Sequence, residues 1–358
     1  MGRLRLRLGA LFIAVAALAA APGNVSAALA ATASTAASGP QVSKVRVGPF
    51  VLPPAPLGDT GEQNRFVPTI PKPCADCFIT AVVPKLLYAD GKRADMDTGV
   101  MLHHLVIFEP GKADATCGPT QGIGALGRRI FASGDERTPM QLPSGFGFKV
   151  EPGRWTGVVD LMNHSDQART VFFEADVTHV PASTAGMKPV TPVWLDVADC
   201  GNSQYSVPAG HSATPWDWHS TLTGRIVAAA GHVHPGGQGV TLDDTSTGQR
   251  ICASRATYGS GMFAGMVTSM SGCSWDSLGV VRAGDDLRIT SLYDAPRTLT
   301  GVMGIMLIAV YETDDLKSGT AAPAAMRRTP NTAVPSDIAD DSGAHESMPG
   351  MKGMPKGH

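Results

Sequence analysis

Charge of either sign is scarce in this sequence. Only 17% of its 358 residues are charged, and 29 basic residues nearly balance 31 acidic ones, for a formal net charge of -2. This balance excludes a highly charged nucleic-acid binder. The sequence also lacks a long amphipathic helical pattern and a clustered carboxylate motif, which argues against a helical fold and against a Ca²⁺ or Mg²⁺ protein. Hydrophobic residues make up 43% of the chain, so it is not mainly disordered.

Turn-forming residues are abundant, with 41 glycines and 27 prolines between short apolar runs. We therefore predict an all-β fold, because this content is too high for a helical bundle and such runs are typical of strands. Two β-sandwich domains in tandem are favoured over an α/β fold. The runs with strand character are 78–84, 100–108, 155–162, 170–177, 223–234, 287–293 and 302–311.

The two ends of the sequence differ in composition from the rest. Residues 1–30 combine a basic start, a short apolar stretch and small-residue cleavage sites, as in a secretory signal peptide. An Ala/Ser/Thr linker follows at 31–40, the two domains are expected at 41–205 and 206–316, and 317–358 is predicted to be a disordered Met/His-containing tail. The mature protein is expected to be secreted or extracytoplasmic, without stable membrane insertion after signal cleavage and without a nucleic-acid partner.

All six cysteines lie beyond the predicted signal peptide. An even number in an exported protein favours three disulfide bonds, and Cys252 and Cys273 are close enough in sequence to pair within one domain. A zinc knuckle or a redox pair is the alternative for Cys74 and Cys77, but no second CxxC motif is present to complete a zinc site. The six residues are Cys74, Cys77, Cys117, Cys200, Cys252 and Cys273.

Five histidines lie within or at the end of predicted strands. His232 and His234 are two residues apart, so they face the same side of a strand and can converge on one metal ion. His103 and His104 are neighbours that face opposite sides, unless the strand twists or ends there. His164 follows another apolar strand. The alternative to a metal site is a set of surface or core histidines with ordinary hydrogen-bond partners.

In order and spacing, these histidines and a later strand methionine resemble the copper type II ascorbate-dependent monooxygenases, the family of peptidylglycine α-hydroxylating monooxygenase and dopamine β-monooxygenase. The resemblance to the stress-up-regulated nodulin family is closer. The monooxygenase resemblance covers roughly residues 75–311 and implies two jelly-roll domains with two copper ions facing each other across a cleft; the resemblance to the nodulin family is carried by four segments. The matching segments are Leu102-His-His-Leu-Val-Ile-Phe108, Ser220-Thr-Leu-Thr-Gly-Arg-Ile-Val227, Gly231-His-Val-His-Pro-Gly-Gly237 and Val281-Arg-Ala-Gly-Asp-Asp-Leu-Arg-Ile289.

The resemblance also implies which side chains bind the two copper ions. It assigns one set of three to an electron-transfer copper in the first domain and a second set to an oxygen-activating copper in the second domain. Met306, on the opposite strand face, is the alternative to the methionine of the second set. A thioether favours Cu(I), which supports copper over zinc. The first set is His103, His104 and His164, and the second is His232, His234 and Met303.

The function expected from the resemblance is an exported two-copper monooxygenase-like enzyme that hydroxylates a C–H bond with O₂ and a reductant, either ascorbate or another. The substrate, a small molecule or a peptide, is not specified. Ala230 replaces the arginine that holds the substrate carboxylate in peptide-amidating members, and Ile305 and Leu307 replace polar and aromatic side chains, so a less polar substrate is expected. A non-catalytic copper-binding, storage or stress-protection protein is the alternative, favoured by the Met/His tail. A sandwich that binds a glycan or a protein is the third.

Overall fold

A computed structural model describes residues 39–55 and 61–316. The predicted signal peptide, most of the linker and the tail lie outside the described residues. Within the described part the fold is all-β, as predicted, and none of its helices is long and apolar enough to cross a membrane. The helices there are four short 3₁₀ segments, η1 (Met96–Thr98), η2 (Gly122–Leu126), η3 (Gly261–Phe263) and η4 (Asp314–Leu316).

All seven runs predicted as strands lie mainly within strands of the structure. The apolar runs and the turn residues between them account for this agreement, because both signals are local. The first ten strands are β1 (Gln41–Leu52), β2 (Gln63–Ile70), β3 (Cys77–Tyr88), β4 (Val100–Glu109), β5 (Arg128–Ser133), β6 (Met140–Gln141), β7 (Phe146–Lys149), β8 (Trp155–Asn163), β9 (Arg169–Pro181) and β10 (Lys188–Pro189).

The remaining strands follow in the second part of the chain. They are β11 (Thr191–Asp196), β12 (Tyr205–Val207), β13 (Gly210–His219), β14 (Gly224–Val233), β15 (Gly237–Asp244), β16 (Gln249–Tyr258), β17 (Val267–Met270), β18 (Gly272–Val281), β19 (Asp286–Ala295), β20 (Leu299–Val302) and β21 (Gly304–Glu312).

The first ten strands form two sheets, and the later ones form three. In the first group, β1-β9-β3-β7-β10 make one sheet, with β6 also paired to β3, and β2-β8-β4-β5 make the other. In the second group the orders are β11-β21-β14-β18, β13-β19-β15-β16-β17 and the pair β12-β20. Every pairing between these strands is antiparallel except that of β7 with β10. Antiparallel sheets can bury one face and leave the other in water, which fits the alternating burial along many of the strands.

Buried apolar side chains form two large clusters and a small third one. The first large cluster draws on residues 45–190, with two side chains from later strands, and the second draws on residues 193–310. The third cluster contains Val106 and Phe108 of β4 together with Trp194, Met303 and Ile305 from later in the chain. It therefore joins the strand that carries His103 and His104 to β21, which pairs with the strand of His232.

The six cysteines form three disulfides, which confirms the predicted count and the pairing of Cys252 with Cys273. The other two bonds join Cys74 to Cys77 and Cys117 to Cys200. The last of these closes a loop between residues 83 apart in sequence. It ties the segment after β4 to the end of β11.

Candidate metal centre

Four of the predicted ligands come together in one cluster of imidazoles. The ring centres of His103 and His104 are 4.1 Å apart, and each lies 5.2 Å from that of His234. The ring of His232 lies 5.3 Å from those of His104 and His234. Ligand nitrogens of His103, His104 and His234 all lie within 4.8 Å of one another. We call these four residues the four-histidine cluster.

A bulge in β4 explains how two adjacent histidines reach the same cluster. Leu102 pairs with Leu161 of β8, but the next pair is His104 with Asp160, so the register shifts by one residue at His103. A β-bulge places one extra residue in a strand and bends it locally. The strict alternation of a regular strand, which would send the two imidazoles to opposite faces, is therefore broken here.

His232 and His234 reach the cluster from the end of β14. His232 is opposite Ile305 of β21, and His234 follows the last strand residue. The backbone then turns, because the amide of Gly237 donates to the carbonyl of His234 at 2.9 Å. The two imidazoles thus lie on the same side, as the spacing of two residues predicted.

Three of the four rings are fixed through their outer nitrogen. Nδ1 of His103 is 2.8 Å from a carboxylate oxygen of Asp160, and Nδ1 of His232 is 3.0 Å from one of Glu136. Nδ1 of His234 is 3.0 Å from the carbonyl oxygen of Gly301. Metal-binding histidines usually donate their second ring nitrogen to a carboxylate or a carbonyl. This pattern leaves the Nε2 atoms as the inner donors.

One inner nitrogen is buried without a hydrogen-bond partner, and two others lie at hydrogen-bond distance from each other. Nε2 of His232 is buried and has no hydrogen-bond partner among the described residues. Nε2 of His104 and Nε2 of His234 face each other at 3.1 Å. Buried polar atoms are normally satisfied, so the unpartnered Nε2 of His232 indicates that a ligand belongs beside these rings.

The absence of a side chain at Gly134 leaves space for the carboxylate of Glu136 to approach the ring of His232. A Cβ atom placed on Gly134 would lie 2.4 Å from Oε2 of Glu136 and 3.0 Å from Cε1 of His232. Both distances are shorter than normal packing allows. Gly134 is therefore required by the close approach of the carboxylate and the ring.

Burial and mutual proximity keep two of the rings neutral. Burial, followed by the neighbouring imidazoles, holds the pKa of His104 well below its usual value and lowers the pKa of His234 to about 3. Burial also acts to lower the pKa of His232, but the charge and hydrogen bond of Glu136 outweigh it and raise that pKa. Neutral imidazole is the form that binds a metal.

The donor set and its spacing fit a transition-metal ion such as copper. Two nitrogens bound at about 2.0 Å in tetrahedral geometry lie about 3.3 Å apart. The measured separation of 3.1 Å between Nε2 of His104 and Nε2 of His234 is close to this value. Imidazole suits copper, zinc, iron and nickel, so the donors alone do not choose among these metals.

The other two predicted ligands do not join the cluster. His164 is exposed, and within the described residues its ring makes no hydrogen bond or ring contact with the four histidines. Met303 lies just before β21 and packs in the third apolar cluster, with Val106 and Trp194. Met306 is fully buried in the second apolar cluster. The ligand roles of His164 and Met303 remain predictions.

Sequence reasoning missed the residues that orient the rings. Asp160 was visible as a single charge within the apolar run 155–162, which is a signal for a buried partner. Glu136 and Gly301 carry no such local signal. Tyr293 was also missed: its hydroxyl accepts from the amide of His234 at 2.9 Å and donates to the carbonyl of Met303 at 2.6 Å.

A cavity of about 1340 Å³ adjoins the cluster, and His104 and His232 form part of its wall. The walls are mainly apolar. The lining includes Ala230, Ile305 and Leu307. These are the positions where, by the resemblance, other members of the family carry polar or aromatic substrate-binding side chains. Other lining residues include Val106, Phe131, Val158, Trp194, Trp275 and Met303.

The fold and the site together define an all-β protein with a cluster of four histidines beside an apolar cavity. The family described as stress up-regulated Nod 19 matches residues 175–313, in agreement with the resemblance to the nodulin family. A probable copper-dependent oxygenase of a Phoma species is 29% identical over 294 residues, which cover 75% of this chain and 72% of that protein. Another, from Cochliobolus lunatus, is 30% identical over 249 residues, which cover 63% of this chain and 77% of that protein.

The chain therefore belongs to the family of these probable copper-dependent oxygenases. Among solved structures, the major capsid protein P2 of bacteriophage PM2 matches 76% of this chain and 98% of its own, with a TM-score of 0.29 and 9% identity. A score this low supports no inference about fold or function.

Proposed function

We propose that this protein is an exported copper-dependent oxygenase that holds its copper in the four-histidine cluster and oxidises an apolar substrate in the adjoining cavity. The observation that carries the proposal is that ligand nitrogens of His103, His104 and His234 all lie within 4.8 Å of one another, with the ring of His232 beside them and its buried Nε2 without a partner. Family membership favours copper over the other metals that imidazole binds.

We infer one copper centre in place of two separated ones. The two ligand sets implied by the monooxygenase resemblance would lie on opposite sides of an open cleft. Here His103 and His104 lie within 5.3 Å, ring to ring, of histidines from the second set. No cleft wide enough to divide two centres lies between rings at these distances. His103, His104 and His234 are the primary ligands, and His232 is the fourth.

The two-sandwich architecture is part of the same proposal. Residues 41–205 and 206–316 would form two jelly-roll-like domains. The division of buried side chains into a cluster drawn mainly from residues 45–190 and one drawn from 193–310 supports two separate cores, although β11, which precedes residue 206, pairs with β21 in the second group of strands. The centre would then form where β4 of the first domain meets β14 of the second. Export is supported by the three disulfides, which persist in oxidising compartments.

The side chains around the cluster have separate tasks. Asp160 and Glu136 hold the outer protons of His103 and His232, so the inner lone pairs point at the centre. Tyr293 fixes the backbone of His234. The apolar wall excludes water from the reacting region. Copper, when bound, would supply the one-electron chemistry with O₂ that these side chains cannot perform.

The substrate is inferred to be a neutral molecule with a large apolar surface. Small-molecule cavities usually measure about 300–1,000 Å³, so a cavity of about 1340 Å³ accepts a ligand at or above the usual size. Ala230, Ile305 and Leu307 offer no charged or hydrogen-bonding side chain to a peptide carboxylate. An external reductant, ascorbate or another, would supply the electrons.

Copper counting on matched histidine variants tests the centre. We expect His104→Ala to bind one copper ion fewer per chain than the wild-type protein. His164→Ala and His211→Ala should bind as many as the wild type, because His164 lies outside the cluster and His211 is 87% exposed. If His164→Ala and His104→Ala each lost a different ion, two centres would exist and the single-centre proposal would be wrong.

Oxygen uptake and probe binding test the chemistry and the substrate class separately. The copper-loaded protein should consume O₂ when ascorbate is present, and His104→Ala should not. Stable copper binding without any uptake would favour the storage or stress-protection alternative. A neutral apolar fluorophore should bind both wild type and His104→Ala, because the apolar wall persists, whereas Ala132→Phe should weaken its binding and keep the copper. Equal probe binding by Ala132→Phe would contradict the apolar-substrate proposal.

A further inference from the structure

A second group of metal-ligating side chains lies in the other sheet of the first ten strands. Cys74, Cys77 and His179 each offer a ligand atom, and these atoms all lie within 4.8 Å of one another. Cys77 begins β3, and His179 lies on the neighbouring strand β9, where it pairs with Ile79 of β3. The four-histidine cluster takes none of its members from these two strands, so the two groups are distinct.

Packing fixes two of the three side chains. Cys77 is 1% exposed, and its carbonyl accepts from the amide of Val150 at 2.9 Å. His179 is 6% exposed, and Nε2 of its ring is 2.9 Å from the hydroxyl of Ser43. Cys74 is only half-buried, on the segment between β2 and β3. A reagent in solution can therefore reach the disulfide through Cys74.

The Cys74–Cys77 bond is the least important of the three disulfides for holding the fold. It joins residues only 3 apart, whereas the other two bonds join residues 83 and 21 apart. The stabilisation that a disulfide provides by restricting the unfolded chain falls as the loop becomes shorter. Its opening therefore costs the fold least, and the strand pairing of β3 with β9 remains to hold the ligands in place.

We propose that Cys74, Cys77 and His179 form a binding site for Cu(I) when this disulfide is reduced. Thiolates are soft ligands that select Cu(I), and a neutral imidazole completes a three-coordinate set. The site is independent of the four-histidine cluster and of the proposed oxygenase reaction.

The chemistry requires a dithiol reductant and balances as a thiol–disulfide exchange. The reductant gives two electrons and two protons and becomes a disulfide, while the bond between Cys74 and Cys77 breaks to leave two thiols. Cu(I) binding then releases both thiol protons, because the ligands are thiolates. The reverse exchange with a small-molecule disulfide, which accepts two electrons and two protons and becomes a dithiol, would close the Cys74–Cys77 bond and release the ion.

The test compares the oxidised and reduced full-length protein. After treatment with a dithiol and its anaerobic removal, Cu(I) is titrated against a chromogenic chelator, and thiolate-to-copper absorption is recorded in the ultraviolet. We expect the reduced wild type to bind one more Cu(I) ion than the oxidised form, with a thiolate band. The double variant Cys74→Ser/Cys77→Ser, treated identically, should gain neither. His179→Ala should keep the band but bind the extra ion at least about tenfold more weakly.

Two controls separate this site from the other cysteines and histidines. Mass mapping of alkylated cysteines identifies the disulfide that opened, and circular dichroism checks that the fold persists. His211→Ala, which removes an exposed histidine, should behave like the wild type. The proposal is overturned if the reduced wild type gains no ion, or if Cys74→Ser/Cys77→Ser gains the same ion.

Discussion

Glu136→Ala should weaken copper binding at the four-histidine cluster by about 10- to 100-fold. The carboxylate is buried, and its Oε1 lies 3.0 Å from Nδ1 of His232. Its removal leaves that ring nitrogen in a buried site without its partner and frees the ring to turn. Loss of such an outer partner typically costs about 10- to 100-fold in metal affinity.

A second estimate of the magnitude agrees with the first. A hydrogen bond to a charged group contributes about 1.5–3 kcal/mol, and each tenfold change in affinity corresponds to about 1.4 kcal/mol. The two figures together give a loss of about one to two orders of magnitude. Glu136→Gln keeps an oxygen acceptor at the same position but loses the charge, so its effect should be smaller. Gly134→Ala should act in the same direction as Glu136→Ala, because its Cβ would displace the carboxylate.

The assay is a competition titration with a copper chelator of known affinity, at fixed pH and salt. The surface of the protein offers a matched control, since His219 and Asp286 form a similar contact of 2.9 Å with both side chains more than half exposed. Asp286→Ala should leave copper affinity unchanged. An unchanged affinity in Glu136→Ala, or an equal loss in Asp286→Ala, would refute the role assigned to Glu136.

Three further predictions concern stability and ligand identity. The pKa of Asp114 is lowered to about 2, since its hydrogen bonds and ion pair with Arg129 outweigh the effect of burial. The ionised carboxylate therefore stabilises the fold above pH 3.8, and this stabilisation is lost as the pH falls towards 2. In Asp114→Asn, the free energy of unfolding measured with denaturant should fall by up to about 2 kcal/mol less than in the wild type over this pH range. Cys117→Ser/Cys200→Ser should lower the free energy of unfolding by about 2–5 kcal/mol, because the loop is long; a loss below that of other disulfide variants would contradict this. Met303→Ile should cost less than about 1.5 kcal/mol, and X-ray absorption should show whether a copper–sulfur signal disappears with it.

Local patterns predicted much of the fold. The strand runs, the His-x-His geometry and the pairing of Cys252 with Cys273 each depend on residues close together in sequence. Strand periodicity alone placed His232 and His234 on the same face. These features were confirmed because no distant contact had to be known.

Contacts between strands that are distant in sequence could not be predicted from the sequence alone. The bulge at His103 depends on how β4 is aligned with β8, and a shift of one residue is invisible in either strand alone. The partnership of Glu136 with His232 joins residues 96 apart. For the same reason the resemblance to two-copper enzymes could assign ligands to two sets, but it could not show that His104 of the first set and His234 of the second lie at hydrogen-bond distance, 3.1 Å between their Nε2 atoms.

The facing pair His104 and His234 has a consequence for how the chain holds together. The two residues are 130 apart in sequence, so an ion shared by them would close a longer loop than the Cys117–Cys200 bond does. A metal bound in this way acts as a reversible crosslink between the early and the late strands. Chelation would then release that crosslink without breaking a covalent bond. We expect the copper-free protein to melt at a lower temperature, with its two apolar clusters losing structure less cooperatively than in the copper-bound form.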